Sequence, residues 1–266
     1  MQKEDSQAIP RLARDFFTEA AGALIKTTLV DFPGRVASSF FLKGCNLRCP
    51  YCYNWALVDS SLAESTGDEK SDSGNLASLE EVFAHLEKRR NVLTGFVISG
   101  GEPLLFPHLA PLIEKAKSYG YKIKLDTNGT LPDRLEAIIK NPATAPDFIA
   151  MDIKTSPARY GLVAPHATQQ TVSEMIDNLG RSIQIISRLP ADSREWRTVL
   201  VPPLVGKKDI AEIAKILPAD AVWQFAQFRN ENCLDANYNG IAPYTDKETS
   251  DLVAYAKTMI SGANLR

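Results

Sequence analysis

The chain has 266 residues, of which 44% are hydrophobic and 23% are charged, so it can bury a large core. Its 30 basic and 32 acidic residues give a net charge of -2, which argues against a bulk nucleic-acid or anionic-membrane surface. The sequence shows no apolar signal segment at its start and no apolar run of membrane-spanning length, so we expect a cytoplasmic protein with reduced thiols.

Short β-rich apolar runs alternate along the chain with longer stretches of helical spacing. The predicted strands are 36–42, 95–99, 122–126, 147–153, 194–201 and 221–228. The predicted helices are 79–90, 107–119, 132–140, 172–188, 207–217 and 246–259. Strands separated by helices predict right-handed crossovers and a parallel sheet. Six units are fewer than the eight of a closed barrel, which favours an open, partial (β/α)6 barrel. Periodicity alone leaves a doubly wound sheet as the alternative.

The chain is predicted to have an N-terminal extension over residues 1–23 and a barrel over 24–266. A stretch rich in Ser, Gly and acidic residues at about 60–75 lacks apolar periodicity and is predicted to be a surface loop.

Three of the four cysteines lie in one short loop directly after the first predicted strand, as Cys45, Cys49 and Cys52. A [4Fe–4S] cluster normally takes four cysteine ligands, so three would leave one iron with an open coordination site. Zinc would require a fourth ligand, and the three histidines of the chain are remote in sequence. The spacing alone favours an iron–sulfur cluster and leaves zinc or inert thiols as alternatives.

Polar residues follow the next strands at the ends where parallel α/β folds collect functional groups. They are Glu102, Asp126, Thr127, Asn128, Asp152 and Lys154, with Gly100 and Gly101 directly before Glu102 and with Arg197 near the start of the predicted strand 194–201. The two glycines would let the backbone approach a ligand closely. The side chains of Asp126, Thr127, Asn128, Asp152 and Lys154 at the ends of buried strands are costly unless they pair with each other or with a ligand. A plain turn and a structural Asp–Lys pair are the alternatives. On the last predicted strand, alternation allows only one of Gln224 and Gln227 to face the interior, and it does not decide which.

The succession of motifs resembles the radical S-adenosylmethionine superfamily. Within it, the chain is similar to the long form of the anaerobic ribonucleoside-triphosphate reductase activating proteins, which are related to the pyruvate formate-lyase activating enzymes. The motifs are Thr27–Gly34, the Cys-x3-Cys-x2-Cys loop, Gly-Gly-Glu-Pro, Asp-Thr-Asn-Gly, Met-Asp-Ile-Lys, Arg-Thr-Val, and Gln-Phe followed by Cys-Leu-Asp. The resemblance extends from about residue 24 to the end of the sequence. Tyr53 stands where the family usually has histidine, and Cys233 is interpreted as a reduced, buried thiol.

The resemblance implies a partial barrel in which Cys45, Cys49 and Cys52 ligate a [4Fe–4S] cluster. S-adenosylmethionine would be bound by Asn54, Gly100, Gly101, Glu102, Asp126, Asn128, Lys154 and Arg197. A monovalent cation is possible at Asp126, Thr127 and Asp152.

The resemblance also implies a reaction. One electron from the cluster cleaves S-adenosylmethionine to a 5′-deoxyadenosyl radical, which takes a hydrogen atom from a glycine of a glycyl-radical enzyme such as anaerobic ribonucleotide reductase. An electron donor such as flavodoxin or ferredoxin would be a second partner, with no nucleic acid and no membrane. One alternative keeps the chemistry and changes the substrate to a small molecule or a peptide. Another is a non-enzymatic zinc-binding or electron-carrying module.

Overall fold

The computed structural model describes residues 19–58 and 76–266, which form one nine-stranded sheet covered by helices. Most of the predicted extension at 1–23 and the whole predicted surface loop at about 60–75 lie outside the described residues. The strands are β1 Ala20–Thr28, β2 Ala37–Leu42, β3 Leu76–Ser78, β4 Gly95–Gly100, β5 Lys122–Thr127, β6 Phe148–Asp152, β7 Arg194–Leu200, β8 Trp223–Gln227 and β9 Ala263–Leu265. The helices are α1 Trp55–Val58, α2 Leu79–Arg89, α3 Leu109–Ser118, α4 Pro132–Lys140, α5 Gln169–Ser187, α6 Lys207–Ile216 and α7 Asp246–Lys257.

The six predicted strands form the centre of the sheet as β2, β4, β5, β6, β7 and β8, and neighbouring strands of this set are parallel. The sheet order is β3-β1-β2-β4-β5-β6-β7-β8-β9, so the six follow one another in chain order. A doubly wound sheet instead reverses its strand order at a switch point. The predicted open α/β barrel is therefore confirmed, and the doubly wound alternative is wrong.

Three further strands extend the sheet on both sides. β1 pairs antiparallel with β2 and with β3, and β9 pairs parallel with β8. β1 begins at Ala20, upstream of residue 24, where the sequence analysis starts the barrel. Gly22 permits this pairing, because a Cβ there would lie 2.3 Å from the carbonyl oxygen of Phe41.

The helices bury their apolar faces against the outer side of the sheet. At the start of α2, the Ser78 hydroxyl accepts from the backbone N–H of Glu81, whose carboxylate in turn accepts from the Ser78 backbone N–H. This capping box begins the helix so that Leu79, Val82 and Leu86 are buried. Among the helices of the described ranges, none combines the length and apolar composition needed to cross a membrane.

The two sides of the open sheet approach each other at one place. The Arg266 guanidinium, just beyond β9, donates a hydrogen bond to the carbonyl oxygen of Val30 in the loop after β1. This contact places the end of the chain beside the open side of the barrel.

Candidate active site

A cavity of about 320 Å³ opens at the carboxyl ends of the central strands. Of the residues that the sequence analysis selects, all except Glu102 line it. They are Cys45, Cys49, Cys52, Asn54, Gly100, Gly101, Asp126, Thr127, Asn128, Asp152, Lys154 and Arg197. Groups that are remote in sequence therefore meet in one space, because the parallel strands all end at the same rim.

Glu102 lies behind the cavity wall, with 1% of its surface exposed. Its carboxylate accepts from the Thr127 hydroxyl at 2.9 Å and from the backbone N–H groups of Asn128 at 2.7 Å and Leu104 at 3.1 Å. Burial raises the pKa of Glu102 to about 7, although the three donors favour its ionised form. Glu102 therefore fixes the turn after β5, and the direct cofactor contact that the resemblance implies stays a prediction.

The two glycines at the end of β4 are required by a close approach of backbone to backbone. Gly100 has φ +116°, and a Cβ there would lie 2.2 Å from the Leu42 nitrogen. A Cβ on Gly101 would lie 1.9 Å from the Gly44 carbonyl oxygen. From the sequence, both glycines are expected to let a ligand approach the backbone closely. In the structure they also let the chain that enters the cysteine loop, at Leu42 and Gly44, pack against the end of β4.

The three thiols of the loop are free and line the cavity together. Backbone N–H groups point at two of them: Leu47 lies 3.4 Å from the Cys45 sulfur, and Asn54 donates to Cys52. Burial raises the pKa of all three thiols, that of Cys49 to about 12, and the Lys154 ammonium opposes this rise. Reduced thiols with amide donors and a nearby cation fit an iron–sulfur cluster, whose charge stabilises coordinating thiolates.

The loop after β8 holds the cysteine loop from the other side. Leu234 donates its backbone N–H to the Cys52 carbonyl oxygen at 3.1 Å, and Asp235 donates to that of Pro50 at 2.9 Å. The Tyr53 hydroxyl accepts a hydrogen bond from the backbone N–H of Arg229 at 3.3 Å. Tyr53, which replaces the usual histidine of the family, therefore contacts the loop after β8. Cys233 is buried in this loop and does not line the cavity.

Alternating charges connect β5, β6 and β7 across the cavity floor; we call the five residues Lys124, Asp126, Arg197, Asp152 and Lys154 the ionic chain. Lys124 Nζ lies 2.6 Å from Asp126 Oδ1, and Arg197 Nη1 lies 3.0 Å from Asp126 Oδ2. Arg197 Nε lies 2.7 Å from Asp152 Oδ1, and Lys154 Nζ lies 2.9 Å from Asp152 Oδ2. Burial alone would raise the pKa of both carboxyl groups, but the neighbouring cations, Arg197 first, hold it below its ordinary value.

The sequence did not point to two further residues of this arrangement, Lys124 and Glu195. Lys124 is fully buried beneath Asp126, and its Nζ lies 3.9 Å from Glu195 Oε1. Both residues precede a selected residue by two positions on the same strand, Asp126 on β5 and Arg197 on β7. Alternation therefore offered a signal, since residues two apart on a strand share a face.

Arg197 places its guanidinium between the two carboxylates that the resemblance assigns to a monovalent cation. Asp126 and Asp152 are thus already neutralised by side chains. In the described ranges, the cysteine loop included, no three His, Cys, Asp or Glu side chains already form a metal site, so a cluster would have to draw the three thiols together.

The structure decides between the two glutamines of β8. Gln224 lines the cavity, whereas Gln227 is exposed and donates from Nε2 to the Tyr244 carbonyl oxygen at 2.9 Å.

Comparison with known proteins yields a family match and a set of similar chains. The model of the radical SAM superfamily matches residues 39–190. A protein of Methanocaldococcus jannaschii, provisionally named as a glycyl-radical enzyme activating enzyme, is 28% identical over 246 residues, which cover 91% of this chain and 94% of that protein. The pyruvate formate-lyase-activating enzyme of Clostridium pasteurianum is 27% identical and covers 71% of this chain and 72% of its own length.

A shorter match and two solved structures complete the comparison. The 7-carboxy-7-deazaguanine synthase of Hyperthermus butylicus is 36% identical over 105 residues, or 38% of each chain. Archaeal TYW1 superimposes with a TM-score of 0.55 at 13% identity, covering 96% of this chain and 91% of its own. SuiB of Streptococcus suis gives a TM-score of 0.53 at 14% identity, covering 86% of this chain and 46% of its own. At these identities the solved structures show a shared fold.

Proposed function

Because the chain belongs to the radical SAM superfamily, we propose that it is an activating enzyme that removes a hydrogen atom from a glycine α-carbon of a partner glycyl-radical enzyme. The family implies a [4Fe–4S] cluster and S-adenosylmethionine as cofactors. When bound and reduced by an external electron donor such as flavodoxin or ferredoxin, they supply a 5′-deoxyadenosyl radical. The protein supplies binding, orientation and exclusion of water.

Different side chains of the cavity are suited to bind the cluster and the cofactor. Cys45, Cys49 and Cys52 would hold the cluster. Arg197 gives Nη1 to Asp126 and Nε to Asp152, so Nη2 remains for a ligand, and Lys154 has two further N–H bonds beyond the one to Asp152. These donors suit the carboxylate of S-adenosylmethionine. Asn54 and the Asn128 side chain, which also reaches Asn46 at 2.9 Å, would bind other polar groups of the cofactor.

The observation that carries the activase proposal is the nearly full-length similarity to the Methanocaldococcus jannaschii protein, which is provisionally named as a glycyl-radical enzyme activating enzyme. The surface around the cavity supports a macromolecular substrate. Asp31 and Arg266 line the cavity on the open side of the sheet. Beside them the apolar side chains of Leu29, Val30 and Leu265 are 74%, 72% and 49% exposed. These exposed apolar side chains adjoin Asp31 and Arg266, and such groups are typical of a protein contact.

The ionic chain changes the expectation for a monovalent cation. Since Arg197 already supplies positive charge between Asp126 and Asp152, cofactor binding should not require sodium or potassium. We expect the dissociation constant for S-adenosylmethionine to stay the same when either ion is replaced by tetramethylammonium at constant ionic strength. Equilibrium dialysis of the reconstituted protein measures this constant. A severalfold increase in the constant without sodium or potassium would show that a cation does bind at Asp126 and Asp152.

A second candidate is a radical enzyme that acts on a small molecule, favoured by the local similarity to 7-carboxy-7-deazaguanine synthases. The two functions are separated by incubating the reconstituted, reduced protein with S-adenosylmethionine and a co-encoded glycyl-radical enzyme. The activase predicts a glycyl-radical EPR doublet on the partner, with 5′-deoxyadenosine formed in step. No radical on any such partner, together with cofactor cleavage that a small heterocycle accelerates, would select the second candidate.

A further inference from the structure

The cavity is also lined by residues that are assigned neither to the cluster nor to the cofactor. Five such residues of the central strands, which we call the inner pocket, are Phe41, Val97, Val199, Gln224 and Ala226. Four of these five side chains are apolar, and the two valines and the alanine are small. Gln224 is the one polar side chain among these five residues.

Gln224 faces the interior because of its place in the sheet. It is paired in register with Arg197 on the parallel neighbour β7. The side chain of Arg197 faces the interior, as its bonds to Asp126 and Asp152 show. Paired residues of neighbouring strands lie on the same face, so the Gln224 amide also lies inside.

The Gln224 amide forms no hydrogen bond with any residue of the described ranges. Gln227, on the same strand, is exposed and bonded to Tyr244. Since this amide is only half-buried, water can hydrogen-bond it until a ligand takes the place of the water. Gln224 is therefore available for a substrate, whereas the free N–H groups of Arg197 and Lys154 are assigned to the cofactor carboxylate.

A glutamine amide offers one carbonyl acceptor and one NH2 donor in the same plane, which complements the N–H and C=O groups of a peptide backbone. The exposed apolar residues that adjoin Asp31 and Arg266, two residues of the cavity lining, favour a macromolecular ligand over a free heterocycle. The small apolar walls suit a residue that has no side chain of its own.

We infer that Gln224 binds the backbone of the substrate protein at a peptide unit next to the reacting glycine. This inference rests on the proposed function and assigns the inner pocket to the glycine-bearing segment. Gln224 thereby becomes a determinant of substrate binding that lies outside the cluster and cofactor groups.

The test measures peptide binding to the reconstituted protein with its cluster oxidised and S-adenosylmethionine bound, so that no turnover occurs. The probes are a capped pentapeptide with a central glycine and two versions of it, one N-methylated at the glycine and the other at the following residue. The variants are Gln224→Leu and, as a matched control on the same strand, Gln227→Leu. Calorimetry gives each dissociation constant, and circular dichroism with iron content shows that each variant is folded and loaded.

Loss of two hydrogen bonds predicts that Gln224→Leu binds the unmethylated peptide about tenfold more weakly, while Gln227→Leu binds it like the wild type. One N-methylated peptide should bind the wild type more weakly by a similar factor. The same methylation should cost little in Gln224→Leu, because the partner amide is already gone. Equal methylation penalties in both proteins, or unchanged binding by Gln224→Leu, would overturn the inference, as would a wild type that binds none of the peptides.

Radical formation separates this inference from the function on which it rests. A wild type that binds the peptide but generates no glycyl radical on it or on a partner enzyme would refute the activase and leave a peptide-binding pocket. A wild type that generates the radical, with Gln224→Leu binding and reacting equally well, would refute the role of Gln224 alone.

Discussion

Replacing Cys45, Cys49 or Cys52 with alanine is expected to abolish the iron–sulfur cluster and, with it, all cleavage of S-adenosylmethionine. The three thiols line one cavity, and each would supply one of only three protein ligands to the cluster. No other cysteine lines that cavity among the described residues. Iron content and the EPR signal of the reduced, reconstituted protein measure the loss, which should be complete for each single variant.

Cys233→Ala is the matched control for these three variants. Cys233 is buried but outside the cavity, and its Sγ lies 3.8 Å from the Arg229 carbonyl oxygen. We expect this variant to keep about four irons per chain and the wild-type EPR signal. Loss of the cluster in Cys233→Ala, or its retention in one of the three loop variants, would show that the cluster has a different ligand set.

Replacing Arg197 with leucine is expected to cause the largest loss of stability among substitutions in the ionic chain. The change leaves Asp126 and Asp152, which face each other across the guanidinium, without their shared partner. Their side chains are 11% and 27% exposed, so water compensates only in part. Removing one partner of a buried ion pair lowers the free energy of unfolding by about 3–5 kcal/mol. Urea unfolding of the cluster-free protein measures this difference.

The control is Arg181→Leu, which removes the arginine of an exposed ion pair with Asp133, whose side chains are 50% and 81% exposed. Surface pairs of this kind contribute at most about 1 kcal/mol. If Arg197→Leu lowers stability no more than Arg181→Leu, the ionic chain is not a structural unit. In that case its charges are held in place by the bound cofactor instead.

The central strands and helices were predictable because each has a clear period. The KIKLDT segment of β5, for example, alternates under the constraint that one side faces the cavity and the other faces helices. β1, β3 and β9 were missed for different reasons. β3 and β9 have only three residues each. β1 contains Gly22, whose role is the close approach of the Phe41 backbone, a contact that the sequence does not reveal. Short edge strands are defined by their neighbours more than by their own sequence.

The candidate site was likewise predictable only in part. Strand-end position was enough to select the groups that line the cavity, since the ends of parallel strands meet. It could not separate Glu102, which points away to Thr127 and Asn128, from its neighbours, because that distinction depends on tertiary contacts. Nor could it show that Arg197 joins two carboxylates from different strands, or that Gln224 faces inward and Gln227 outward.

The most direct test of the account follows one hydrogen atom. A partner glycyl-radical enzyme is labelled with glycine that carries deuterium at the α-carbon, and it is then incubated with the reconstituted, reduced protein and S-adenosylmethionine. The account predicts that the 5′-deoxyadenosine produced contains one deuterium, formed in step with the glycyl radical on the partner. Cofactor cleavage at the same rate with unlabelled 5′-deoxyadenosine would contradict it, because the hydrogen would then come from a group other than glycine.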